Sequence, residues 1–395
     1  MMLKTRTIII GLTGLCVLCV IGSIWAMPRE TSAPPVATSV SRAALIAKGL
    51  SSISIFDCTT ASATTSAAVA APSTPFFQVG EQVPIVPPSS STPLYQGIWS
   101  PQGDAIAFTS PTSEVHFLPT EGSSPGQPYA VSQNELWAYY LANKTWTLVS
   151  ADALAPRFST SGMDLLFLTD GRHLMDFSLR SGKATPTGES LPNTSVGILT
   201  GSPLANGTLF SPTASSTTTN VWPKIDLTSL DTVLLAPDGH SAFISFASPQ
   251  AISAFVAQDG NQRPVLRNCS QTAHYAAWLQ NGSAIAFMLR GAQNTDIYLT
   301  SATTGTTRRV VSFGGRPLIN GLSSSPDGQY LVISVGDGRV ATPKLWIVSI
   351  DGSRSQVLFD GIAPRWSPTG AALLFAGAGP AQPFQWYLAP VRPIR

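Results

Sequence analysis

Charge is scarce in this chain. Of its 395 residues, 11% are Asp, Glu, Lys or Arg, with a net charge of +2, where an average soluble domain carries about 25%. The dense basic field that gathers nucleic acid is missing, so no nucleic-acid partner is expected. Histidine is scarcer still. His116, His173, His240 and His274 share no metal-ligand spacing, and no run of alternating carboxylates forms a calcium loop. No metal and no other cofactor is expected. There are four cysteines, too few for a disulfide-dense scaffold. Cys16 and Cys19 lie in an apolar run and read as small apolar residues. Cys58 and Cys269 form either one disulfide or two unpaired thiols, and spacing leaves both open.

Catalytic constellations are also lacking. Gly122-Ser123-Ser124-Pro125-Gly126 matches the nucleophile-elbow pattern. That elbow needs a strand before it and a helix after it, and this stretch has neither flank. Ser325-Pro326-Asp327-Gly328 lacks the spacer between Asp and Gly that a sialidase-type Asp box carries. The chain reads as a non-enzyme.

What recurs is one short pattern. An apolar or aromatic run leads into Ser-Pro-x-Gly, and a second apolar run follows. Trp99-Ser100-Pro101-Gln102-Gly103 precedes Ile106-Ala107-Phe108, and Trp366-Ser367-Pro368-Thr369-Gly370 precedes Leu373-Leu374-Phe375. Looser copies lie at Phe158-Ser159-Thr160-Ser161-Gly162, Trp278-Leu279-Gln280-Asn281-Gly282, Pro237-Asp238-Gly239 and Ser325-Pro326-Asp327-Gly328. Gly239, Gly282, Gly328 and Gly370 follow one another at intervals of about 43 residues. Pro pre-sets the turn and Gly completes it, so each copy is a tight hairpin between strands A and B. Two further β-branched or aromatic runs complete each unit as strands C and D. Four-stranded units at this period make an all-β protein, a β-propeller. Six copies are plain. Ser202-Pro203-Leu204-Ala205-Asn206-Gly207 is a degenerate seventh, so six blades are expected and seven is the alternative.

These residues resemble the TolB-like propeller family, whose repeat runs aromatic-Ser-Pro-Asp-Gly, two residues, then aliphatic-Ala-Phe. Ser325 to Gly328 is the nearest copy, and the resemblance covers residues from about 95 to 395. Several copies depart from it, with Gln102, Ser161, Asn281 or Thr369 in place of Asp. The resemblance implies a six-bladed, WD40-like propeller outside the cytoplasm that handles partners rather than reactions.

Residues 8–26 form an uncharged apolar run behind Lys4 and Arg6. It is long enough to span a bilayer, with the remainder exported. The expected organisation is a cytoplasmic tail at 1–7, a transmembrane signal-anchor at 8–26, a disordered Ser/Thr/Ala/Pro-rich stalk at 27–75 and the propeller at 76–395. The alternative is a signal peptide whose cleavage leaves a secreted protein. Within the stalk, 43–56 is an apolar exception, either a short helix or a docking strand. The last blade lacks a strand D. The segment at 76–79 or that at 83–86 is expected to supply it, because an open edge invites aggregation.

The A–B turns are uniformly tight, whereas the B–C connections vary, the longest running over 109–134. Variable loops on a rigid scaffold are where binding resides. The candidate binding residues on that face are Phe117, Tyr129, Arg157, Arg172, Arg290, Asp337, Arg339 and Arg365. The expected function is a membrane-anchored, non-catalytic scaffold for a protein or cell-envelope ligand. The alternatives are a sensor ectodomain working with a membrane partner, or a propeller-type lyase or glycan hydrolase. Oligomeric state is left open.

Overall fold

The computed structural model of the chain describes residues 56–57, 74–86, 94, 96–118, 129–159, 161–169, 173–190, 230–236, 241–246, 251–257, 262–269, 274–279, 282–291, 293–315, 317–336, 342–377 and 385–394. The anchor run at 8–26, most of the 27–75 segment, the seventh copy near 202–207 and the Pro237-Asp238-Gly239 turn lie outside these residues.

Three short strands come first: β1 (Phe56–Asp57), β2 (Phe77–Val79) and β3 (Val83–Ile85). A first sheet holds β4 (Gln96–Trp99), β5 (Ala105–Leu118), β6 (Tyr129–Tyr140) and β7 (Thr145–Ser150). A second holds β8 (Leu154–Phe158), β9 (Asp164–Thr169), β10 (His173–Ser178) and β11 (Lys183–Ser190). A third holds β12 (Leu230–Leu235), β13 (Ser241–Phe246), β14 (Ala251–Ala257) and β15 (Gln262–Cys269). A fourth holds β16 (His274–Trp278), β17 (Ala284–Arg290), β18 (Asn294–Ser301) and β19 (Thr307–Gly314). A fifth holds β20 (Leu318–Ser324), β21 (Tyr330–Gly336), β22 (Lys344–Ser349) and β23 (Ser355–Asp360). The last holds β24 (Ile362–Trp366), β25 (Ala372–Ala376) and β26 (Trp386–Pro393). Within each sheet these strands pair antiparallel in chain order, as a meander.

The serine of the repeat has a clear physical role. In the turn after β4, the N–H groups of Asp104 and Ala105 donate to Ser100 Oγ at 3.2 and 3.1 Å. Tyr330 N–H donates to Ser325 Oγ at 2.9 Å, and Ala372 N–H to Ser367 Oγ at 3.1 Å. The hydroxyl thus satisfies backbone donors that the turn would otherwise strand, and all three serines are buried. Where the motif keeps its Asp, Ser325 Oγ donates to Asp327 at 2.6 Å. Where it has Gln102 instead, Asp104 accepts from Ser100 at 2.6 Å. The missing acid is replaced two residues on, so the departure from the family pattern leaves the turn intact. The closing glycines Gly103, Gly162, Gly282, Gly328 and Gly370 have φ between 67° and 75°, the left-handed region that only glycine adopts cheaply.

A C–D turn imposes a stricter demand. Gly352 has φ 76°, and a methyl group there would collide with the Val310 carbonyl oxygen of the neighbouring sheet. At Gly370, φ 74°, the nearest neighbour would be a Pro326 ring carbon at 3.6 Å. Gly370→Ala is therefore expected to cost about 1–2 kcal/mol of conformational strain. Gly352→Ala should cost at least about 1 kcal/mol more, because a backbone atom cannot move aside. Paired denaturant titrations check the order.

Among the described residues, five pairs of neighbouring sheets pack face to face. Ala107, Leu136 and Ala138 meet Leu165, Phe167 and Phe177 between the first and second sheets. Phe243 and Val265 meet Ile285 and Phe287 between the third and fourth. Further cores join fourth to fifth and fifth to last. The last sheet then packs on the first, through Leu374, Ala376 and Trp386 against Ile106 and Phe108. First strands sit side by side, β12 with β16, β16 with β20, β20 with β24 and β24 with β4. Hydrogen bonds bridge them: Ser324 Oγ donates to the Trp278 carbonyl at 2.7 Å, and Trp366 N–H to Ser323 Oγ at 3.1 Å. The chain is an all-β propeller in which the A strands of the third, fourth, fifth, last and first sheets line up side by side.

The last blade is closed by both N-terminal segments rather than one. β2 pairs with Val391, Arg392 and Pro393, and β3 with Trp386, Tyr387 and Leu388. Between them Gly80 N–H donates to the Pro390 carbonyl at 2.8 Å. Gln356 clamps the join, its amide oxygen accepting from Phe76 and Phe77 N–H and its amide nitrogen donating to the Phe77 carbonyl. Trp386 Nε1 donates to the Leu94 carbonyl at 2.7 Å.

The 27–75 segment is not wholly a stalk. β1 lies parallel on β15, Phe56 opposite Leu266 and Asp57 opposite Arg267, so the docking-strand alternative holds at its end. Cys269 closes β15. Cys58 follows β1 directly and lies outside the described residues.

Candidate functional site

The 109–134 stretch was expected to be a loop, and most of it is a paired ribbon. β5 continues to Leu118 and β6 starts at Tyr129. Their register runs on through Pro111 opposite Asn134, Val115 opposite Ser132, and Leu118 opposite Tyr129, with a bulge between Pro111 and Val115. The bulge accommodates Pro111, which has no N–H to give a regular ladder. β4 pairs with β5 only as far as Thr109, and β7 with β6 only as far as Leu136. Beyond those points, among the described residues, neither ribbon strand pairs with a third. The ribbon continues the B–C end of the first sheet, and where β6 leaves β7 the Asn134 carbonyl accepts from Ala153 N–H at 2.8 Å. Phe117 is opposite Ala130, one register step from the Leu118–Tyr129 pair.

The arginines do not gather there. Arg290 ends β17 opposite Thr295, at the B–C end of the fourth sheet. Arg157 and Arg365 were placed on the same face, and the register corrects this. Arg157 is opposite Leu166 and Arg365 opposite Leu374, each one residue before the aromatic that leads into the A–B turn. Strand A runs toward that turn, so both lie at the other end of the blades. Arg172, Asp337 and Arg339 lie outside the described residues.

Arg365 has an unusual environment. It is half-buried, yet its guanidinium is so enclosed by protein that desolvation pulls its pKa down to about 10. It remains charged at neutral pH. Arg157 has an interaction partner. Among the described residues no three His, Cys, Asp or Glu side chains gather as a metal site, and no helix is long and apolar enough to cross a membrane.

No family model matches the chain, and no curated protein sequence matches it. Solved structures do. The chain is similar to TolB propellers. TolB from Acinetobacter baumannii is 16% identical, with 72% of this chain and 59% of that one covered and a TM-score of 0.41. A putative TolB from Agrobacterium tumefaciens is 18% identical, covering 65% and 96%, with a TM-score of 0.40. An oligogalacturonate lyase in complex with manganese is 12% identical, covering 82% and 99%, with a TM-score of 0.47. The argument for a propeller rests on the blades of this chain.

Proposed function

We propose that the chain is a six-bladed propeller, anchored by 8–26 with the propeller outside the cytoplasm, that binds a protein or cell-envelope ligand without catalysis. The blade number is supported by six sheets of four or five strands among the described residues, each with its own strands A to C. The observation that carries the binding role is the ribbon of β5 and β6. A two-stranded hairpin that, among the described residues, gains no third strand from Pro111 to Leu118 and from Tyr129 to Gln133 is costly to expose, because it offers a template for another strand. It is also the geometry by which a partner's extended segment adds to a sheet, with main-chain hydrogen bonds giving affinity and side chains giving selectivity. The A–B turns have no such freedom, since Ser, Pro and Gly are committed to turn geometry.

The test is made on the full-length chain in its own cell envelope. Replacing 113–133 by a short Gly-Ser linker should leave the unfolding midpoint nearly unchanged, since loop length costs little. It should abolish recovery of crosslinked envelope partners. In the same cells the chain should sediment with membranes and be cut by protease added from outside. Undiminished partner recovery by the linker variant would remove the binding role. A soluble chain starting near residue 27 would replace the anchor by a cleaved signal.

A further inference from the structure

Of the four cysteines, two lie in the apolar run at 8–26, and the other two, Cys58 and Cys269, are far apart in sequence. The fold cancels that distance. β1 lies parallel on β15 as the edge strand of the third sheet, Phe56 opposite Leu266 and Asp57 opposite Arg267. Cys58 is the residue after β1, so its Cα is tied about 3.8 Å from that of Asp57. Cys269 is the last residue of β15, two beyond Arg267. Continuing the register by one residue sets position 58 beside Asn268 and Cys269, across a strand spacing of about 4.8 Å. A disulfide needs Cα atoms about 4.4–6.8 Å apart.

The faces agree as well. Side chains alternate along a strand, so position 58 takes the face of Phe56, which is the face of its partner Leu266. Plain alternation would put Cys269, three residues beyond Leu266, on the other face. A bulge changes this. Leu266 is opposite Ser253 and Cys269 is opposite Ala251, so β15 takes three steps where β14 takes two. Ser253 and Ala251 share a face, and Leu266 and Cys269 therefore share it. The bulge brings position 269 to the face that position 58 takes. β1 is two residues long, below the usual range for a strand, and a covalent tie at its end would hold the pairing.

We propose that Cys58 and Cys269 are the partners of a disulfide that ties the arm preceding the propeller to the third sheet. The bond forms by thiol–disulfide exchange. The thiolate of one cysteine attacks the disulfide of an oxidant, a protein disulfide of the envelope or, in the test, oxidised glutathione. The second thiolate then displaces the mixed disulfide. One S–S bond forms, the oxidant's S–S bond breaks, and two electrons pass to the oxidant, which leaves as two thiols carrying both protons. With the bond closed, a pull on the arm ends at the third sheet. With it reduced, the β1–β15 pairs alone carry that pull. The pairing of the two residues rests on the backbone placement. Its formation in the cell rests on the propeller lying outside the cytoplasm, where disulfides persist.

The test uses the full-length chain in detergent. The reduced chain is equilibrated with glutathione buffers of set ratio, alkylated, and digested with trypsin without reduction. The peptide 49–144 should be joined to the peptide 268–290, lighter by two hydrogen atoms than the two alone. The equilibrium constant for oxidation by glutathione should fall about a hundredfold in concentrated urea, because unfolding leaves the two thiols at the ends of a long loop. Cys58→Ser and Cys269→Ser should each abolish the joined peptides and leave the other thiol free. Two thiols that react only with glutathione would overturn the proposal. So would oxidation no more favourable in the folded chain than in urea, or a link from either residue to Cys16 or Cys19. The same alkylation in intact cells should recover the joined peptides directly. Joined peptides in glutathione with free thiols in the cell would support the pairing and overturn the placement outside the cytoplasm.

Discussion

Removal of residues 1–95 is expected to leave a chain that aggregates, whereas removal of 1–75 leaves one that folds. The shorter deletion takes β1, whose pairing covers two residues. The longer one takes β2, β3 and Leu94. It strips the outer edge of β26 from Trp386 to Pro393 and empties the places of Phe76, Phe77, Ile85 and Leu94, all buried. Four such side chains contribute about 1.5–3 kcal/mol each, comparable with the whole net stability of a typical domain, about 5–15 kcal/mol. The bared strand is then a pairing template. Light scattering and thermal unfolding of the two purified truncations separate the outcomes. If both melt together and stay monomeric, the N-terminal strands do not hold the ring.

Trp366→Ala should cost about 3–5 kcal/mol, the range for a large aromatic removed from a packed core. Trp366 is 7% exposed and sits between the last two sheets, with the Phe77 ring centroid at 6.1 Å. Its loss would open both the blade interface and the seat of the closing strand. Trp366→Phe should cost less than about 1.5 kcal/mol, since the indole Nε1 is a buried donor with no partner and nothing is gained by keeping it. Trp99 and Trp278, also expected between blades, are only half-buried, and their alanine variants should fall below Trp366→Ala. The shift of the denaturant midpoint at constant slope measures the series. A Trp366→Ala variant no less stable than Trp278→Ala would break the equivalence of the repeats.

The blades were legible because one short motif contains its own physics. Ser325 satisfies the turn's backbone, Pro326 sets its entry and Gly328 its exit, and none of this depends on distant residues. Closure was legible in outline only. The partner of β26 had to be interrupted, because Pro390 offers no N–H and the opposing chain bulges at Gly80. Two short strands therefore do what one would do elsewhere. The ribbon was misread because Pro111 and the polar residues around it look like a loop. Pairing with 129–134, a tertiary property, overrides them. The arginines were misplaced for a different reason. Being next to the aromatic fixes a residue's place along strand A, but the strand's direction decides which end of the blade that is.

The docking of β1 on β15 also sets a load path. The arm leaves the third sheet at Asp57 and reaches the last sheet at Phe77, where it closes the ring. A pull on the chain from its N-terminal side meets the β1–β15 pairs before it meets the closure. Where no bond joins Cys58 to Cys269, those two pairs, running parallel to their neighbour, are expected to part first under such a pull. On that path the closure of the last sheet is loaded only after the two pairs part.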